Sequence, residues 1–227
     1  GSTAGSLSGS AAGTLDGTLD LTNASSTYSG AMSGTGGLRV SGGTETLSGA
    51  NTYTGDTTID AGTLALSGTG SIADSSTVDI ATNGTFDIRG TTSGAAVMDI
   101  GGAGGISLGS QTLTLTAADP DTDYSGVASG SGGLTVSGGT ETLSGANTYT
   151  GDTKIASGAG LTLTGSVAGT LTNAGTTDVN GGKVAGTTTN TGKLTAEKGK
   201  LADVANNGGT ATLSDTTAGA VTNAAGA

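Results

Sequence analysis

Residues 173–209 read NAGTTDVNGGKVAGTTTNTGKLTAEKGKLADVANNGG, and an Asn-x-Gly triplet recurs in them as Asn173-Ala174-Gly175, Asn190-Thr191-Gly192 and Asn207-Gly208-Gly209, a step of 17, with Asn223 following at 16. Apolar positions advance by the same step, from Val184 to Leu201 and from Val179 through Ala196 to Leu213. A period this short suits one coil of a parallel β-helix, whose rungs stack at the strand spacing of about 4.8 Å. Asparagines at equivalent places then lie above one another, where each amide can donate to one neighbour and accept from the other.

Upstream, residues 28–59 return as residues 124–155, an offset of 96, with only five differences: Ala31/Val127, Met32/Ala128, Thr35/Ser131, Arg39/Thr135 and Thr58/Lys154. Residues 18–22 match 112–116 at an offset of 94, so the second copy has gained two residues where 117–123 replace 23–27. An insertion in a loop with the strand pattern kept is what a stacked architecture tolerates. Apolar residues alternate in pairs such as Leu38 and Val40, Leu64 and Leu66, Val78 and Ile80, Phe86 and Ile88, and Leu113 and Leu115. Period two means a strand with one face buried, and the Gly-Gly, Ser-Gly and Asn-Gly steps between them are turn formers. An antiparallel sandwich spaces its strands similarly; the step of 17 decides for the parallel β-helix. The expectation is an all-β chain, residues 1–227 forming one continuous β-helix of roughly ten to twelve coils. Its duplicated blocks span about 18–67 and 112–163, copied as some four coils, and a short-rung section follows at about 164–227. Coils before the short-rung section are expected to be longer, about 20 to 25 residues.

Composition agrees. There are 46 Gly, one Pro, one Phe, no Cys, no His and no Trp, and charged residues make up 11%. A globule needs large side chains at its centre, whereas small ones fill a narrow solenoid. The net charge of −11 argues against a nucleic-acid partner, which needs clustered Lys and Arg. No apolar run approaches the roughly 18 residues of a membrane span, so no membrane insertion by this segment is expected. Without Cys there are no disulfides and no thiolate chemistry. No signal peptide opens the chain, and Gly1-Ser2 reads as a cloning remnant, so the sequence is expected to be a fragment.

Two segments, from Leu47 to Leu66 and from Leu143 to Leu163, resemble the passenger-associated transport repeat of bacterial autotransporters. The letters that carry the likeness are Asn51, Tyr53, Gly55, Thr57, Ile59, Gly62, Leu64 and Leu66, then Asn147, Tyr149, Gly151, Thr153, Ile155, Gly158, Leu161 and Leu163. The second copy departs by one inserted residue, Ser157-Gly158-Ala159-Gly160 replacing Ala61-Gly62-Thr63. Residues 167–227 are similar, more loosely, to the short rungs of adhesin and haemagglutinin-like β-helices. The resemblance implies a right-handed parallel β-helix in a secreted passenger, displayed at or shed from the cell surface. It further implies a repeat that assists passage and folding, with activities that range over adhesion, self-association and cargo. Fold does not choose among these.

Chemistry is sparse. Without His, the Ser-His and Cys-His nucleophile pairs and histidine metal ligation are excluded. A Ser-Lys pair with Lys154, Lys183, Lys193, Lys198 or Lys200 finds no nucleophile-like turn, and a carbohydrate-cleaving carboxylate dyad lacks aromatic platforms. Asp119, Asp121 and Asp123 have the i, i+2, i+4 spacing of a calcium loop, but Tyr124 stands where such a loop needs Gly; they read as a solvated acidic turn, and no cofactor is expected. Asp79, Asp87 and Asp99 are expected to face outward, the lysines to form a solvated rim, and Tyr53 and Tyr149 to pack over the coil. Outward Thr is too mixed with Asp, Arg and Lys to form a flat ice-binding array. The functional expectation is an adhesion or self-association scaffold, its partner a host surface, extracellular matrix or another copy of itself. A non-binding stalk comes second and a carbohydrate-active enzyme third. Open ends of a β-helix would expose unpaired strand edges and favour end-to-end association.

Overall fold

The computed structural model describes residues 1–224. Every regular segment among them is a β-strand, and every strand pairing is parallel. One series runs unbroken through Ser2–Ala4, Leu19–Leu21, Leu38–Val40, Thr57–Gly68, Val78–Thr91, Ile100–Gly102, Asp123–Tyr124, Thr140–Leu143, Gly160–Leu163, Thr176–Asn180, Lys193–Glu197 and Thr210–Ser214. That is twelve coils of a β-solenoid, about 50 Å along its axis at one strand spacing per coil. A second series of eight strands climbs another side from Ala95–Val97 to Val221–Asn223. The third side begins with the pairing of Thr27–Tyr28 on Thr44–Leu47 and includes Gly105–Gly109 on Val127–Gly130. It ends with Ser166–Val167, Lys183–Val184 and Lys200–Leu201.

The register partners give each coil's length. Leu19 lies on Leu38 at 19 residues, Thr57 on Val78 at 21, and Val78 on Ile100 at 22. The upstream coils are therefore slightly shorter than the 20 to 25 expected, and the opening coil, Ser2 on Leu19, is already 17. Where the coil lengthens, the extra residues go into irregularities between Ile59 and Ala61 and between Ala65 and Ser67. After Thr153 the step falls to 18 and then to 17, as Leu171 lies on Thr188.

Inward rows fill the interior. Leu21, Val40, Ile59 and Ile80 follow one another on one side, and Leu64, Phe86, Ile106 and Ala128 on another. All are buried. Each aliphatic side chain so placed contributes about 1.5–3 kcal/mol. A third row changes character: Leu115, Val136 and Ile155 are succeeded by Asn173, Asn190, Asn206 and Asn223. The amides form a ladder. Asn173 Nδ2 donates to Asn190 Oδ1 at 2.7 Å, Asn190 Nδ2 to Asn206 Oδ1 at 2.8 Å, and Asn206 Nδ2 to Asn223 Oδ1 at 3.1 Å. The same amides also reach the corner carbonyls of Lys193, Thr210 and Gly209. The sequence reading placed Asn207 in this ladder. The structure puts Asn206 there instead, because the strand is Val204–Asn206 and its last inward position is 206, leaving Asn207 exposed.

The two copies do not face the same way. Leu38–Val40 belongs to the twelve-strand series, but its copy Leu134–Val136 belongs to the eight-strand series. Tyr28 and Leu47 pair on the third side, whereas their copies Tyr124 and Leu143 pair within the twelve-strand series. From Leu38 to Leu134 the chain completes four coils and two further sides, so the duplicated block is turned by one side of the solenoid.

The ladder supplies a direct test. Replacing Asn206 with Ala leaves the buried Asn190 amide without its acceptor and should cost about 2–4 kcal/mol in urea unfolding. Replacing the adjacent Asn207 should stay within about 0.5 kcal/mol.

Candidate functional site

The repeat segments build a corner of the coil, and they build it inward. Asn51 is 2% exposed. Its Oδ1 accepts the backbone N–H of Met32 at 3.0 Å, and its Nδ2 donates to the carbonyls of Gly49 and Ser71, both at 3.0 Å. One side chain thus ties three successive coils where the backbone turns and the strand ladder is interrupted. Asn147 repeats the arrangement, accepting from Ala128 N–H at 2.9 Å and donating to Gly145 O at 3.3 Å. Tyr53 and Tyr149 are wholly inside, their hydroxyls 2.7 Å from Thr57 Oγ1 and Thr153 Oγ1 respectively. Thr57 Oγ1 continues to Ser75 Oγ at 2.8 Å. Burial drives both phenols far above the ordinary tyrosine range, so they serve as neutral hydrogen-bonding groups. Gly55 and Gly151 lie against the coil beneath: a Cβ on Gly55 would come within 2.6 Å of the Gly36 carbonyl. Ile59 and Ile155 close the corner from the buried side of the next strand.

A further member of the corner carries charge chemistry that the sequence reading passed over. Glu45 and Glu141 stand at the same place in the two blocks, and both have no exposure. Their signal was available: in Thr44–Leu47 and Thr140–Leu143, strand alternation with an inward leucine puts the glutamate two residues earlier on the same inward face. Burial raises the Glu45 carboxyl, opposed by hydrogen bonds from the Ser6 hydroxyl and Leu7 N–H. Burial pushes Glu141 up to about 10, and Asp99 and Asp123 add to the shift.

The other sequence candidates fall on the surface, with one exception. Asp119, Asp121 and Asp123 do not converge. Asp119 accepts the N–H of Asp121 in a turn, while Asp123 Oδ2 accepts the Ser144 hydroxyl at 2.7 Å. Among the described residues no group of three acidic side chains is placed to hold a metal ion. Asp79 is exposed and Asp87 pairs with Arg89 at 2.7 Å, as outward residues should. Asp99 does not point outward. It sits at 2% exposure, held by Asp119 N–H at 3.1 Å, because its coil turns inward at the corner before Ile100. The three aspartates form no stripe, since Asp79 lies between Thr58 and Gly101, and Asp87 between Ala65 and Ser107. Lys183 and Lys200 are neighbours on one side, while Lys193 lies on another. Outward threonines are more ordered than expected. Thr114, Thr135, Lys154, Thr172, Thr189, Ala205 and Thr222 form one row, and Thr142, Thr162, Asp178, Thr195 and Thr212 another. A shallow cleft of about 240 Å³ opens between Gly68–Ser71 and Thr92–Ala96 where the two blocks meet, and it has no titratable side chain in its walls.

The Passenger-associated-transport-repeat family profile matches residues 41–66 and 138–159. The chain carries two transport repeats of autotransporter passengers. Together with a twelve-coil parallel solenoid they fit an autotransporter passenger with β-helix repeats. The second match stops at Ala159, inside the four residues that replace three in the first copy. The transport repeats and the solenoid point to a structural domain. No characterised protein and no solved structure shows a significant match to the chain. Among the described residues no helix is long and apolar enough to cross a membrane.

The repeat asparagine is the residue whose loss should be felt most. Asn51→Ala strands the buried Met32 N–H and removes ties to two coils, and should cost about 2–4 kcal/mol in urea unfolding. Tyr149→Phe keeps the ring and loses one hydroxyl contact, and should cost about 1–2 kcal/mol.

Proposed function

We propose that this chain is a surface-displayed passenger segment that acts as an adhesion and self-association scaffold. Its partner is a host surface, extracellular matrix or another copy of itself, met along its sides and not in a pocket. The observation that carries this reading is the division of labour in each coil. The repeat's Asn, Tyr and Ile are buried, while the outward row Thr135, Lys154, Thr172 and Thr189 presents polar groups at every coil. Contacts that are weak singly, repeated at a spacing of about 4.8 Å, add up through multivalency, which raises avidity by roughly 10²–10⁴. The burial of the motif residues also favours a second reading, a stalk whose repeats support secretion and folding while binding lies elsewhere.

Cells displaying the chain distinguish the two. Replacing Thr135, Lys154, Thr172 and Thr189 together by Asp should reduce cell aggregation or matrix binding at least about tenfold at unchanged surface level. If binding is untouched by these changes, and Asn51→Ala lowers only the surface level, the segment is a stalk.

A further inference from the structure

The buried glutamates of the two blocks meet different partners. Ser6 and Asp99 occupy equivalent places two coils beneath them. Each accepts a backbone N–H from the intervening coil, Ser25 N–H onto Ser6 Oγ at 3.0 Å and Asp119 N–H onto Asp99 Oδ1 at 3.1 Å. In the first block Ser6 also donates its hydroxyl to Glu45 Oε2 at 2.8 Å, and Leu7 N–H donates to the same oxygen at 3.2 Å. In the second block a carboxyl stands where that hydroxyl was, so a donor has become an acceptor. Glu141 is wholly buried and neither of its oxygens has a hydrogen-bond partner, and Asp99 is itself 2% exposed.

We propose that Glu141, set against Asp99, is a buried proton-binding site that must be occupied for the second transport repeat to fold, so that acid stabilises this block more than the first. The titratable groups that face Glu141 from the neighbouring coils are Asp99 and Asp123, with the phenols of Tyr124 and Tyr149 beside them. All are acidic or neutral, so none offsets a negative charge there. Asp99 is raised by its own burial, yet Asp119 N–H, Thr122 and Ile100 N–H favour its charged form. The proton therefore resides on Glu141. No triad of acidic groups is placed for a metal among the described residues, which leaves a proton to relieve the pair.

An unfolded glutamate ionises near about 4.3, while folded Glu141 keeps its proton up to about 10. Between these limits the folded state holds the extra proton, so stability is greatest below about 4.3 and declines as pH rises, by roughly tenfold in the folding equilibrium per pH unit. Glu45 is also raised, but its two donors pull it back, so the first block should respond less steeply.

Native-state hydrogen exchange, corrected for the intrinsic rates, reads the two blocks separately, because coils of a solenoid open locally. Between pH 5.5 and 8.5, protection over residues 123–155 should fall by about tenfold per unit, more steeply than over 27–59. Asp99→Ser, which installs the first block's residue, should bring the second block to the first block's slope, and Glu141→Gln should abolish the excess slope. Equal slopes in the unaltered chain, or a wild-type slope retained in Glu141→Gln, would overturn the proposal. So would calcium chloride restoring protection at pH 8.5, since the occupant would then be a cation.

Discussion

Each coil of this molecule can bury its inward side chains only against the same positions of the coils above and below. That constraint explains the composition as well as the shape. A wall one strand thick encloses an interior a few side chains wide, so leucine, valine and isoleucine rows suffice, and a single Phe86 is enough aromatic bulk. Small residues at the corners let successive turns approach closely, as at Gly55 above Gly36. Surface ion pairs such as Arg89 with Asp87 decorate this frame and contribute at most about 1 kcal/mol each.

Corners are where the strand ladder stops, and there side chains replace backbone partners. Asn51 and Asn147 hold N–H and carbonyl groups of neighbouring coils together. Asn190 and Asn206 do the same in the shorter rungs, with amides stacked directly on one another. The aliphatic row that ends at Ile155 gives way to amides as the coil contracts to 17 residues, since a side chain that also binds corner carbonyls suits a tighter turn. Asn173 pays at the boundary: its Oδ1 is buried without a partner, facing the aliphatic end of the row.

Much of this was legible in the sequence, for reasons of parity and period. Alternation at Leu38 and Val40 marks strands whatever the fold, and only the 17-residue step showed that they stack in parallel. The position of the ladder was one residue out, because Asn206 and Asn207 are adjacent asparagines and only strand phase chooses between them. Asp99 defeated the outward rule because it lies at a corner, where alternation no longer applies. Glu45 and Glu141 obey alternation fully; their burial was readable but runs against the ordinary habit of glutamate. The turn of the second copy by one side was not readable, since a 96-residue offset says nothing about how many sides it contains. As a result the two transport repeats point to different sides of the rod, and duplication lengthened the solenoid without repeating its surface pattern.

The in-register stack is the claim on which the rest stands, and a pulsed electron–electron distance between spin labels at Thr114 and Thr222 tests it directly. These residues are separated by six register steps on one side of the solenoid. A single narrow distribution centred near 29 Å is expected at about 4.8 Å per step. A distance well below 20 Å, or a broad distribution with no dominant peak, would contradict a continuous parallel stack.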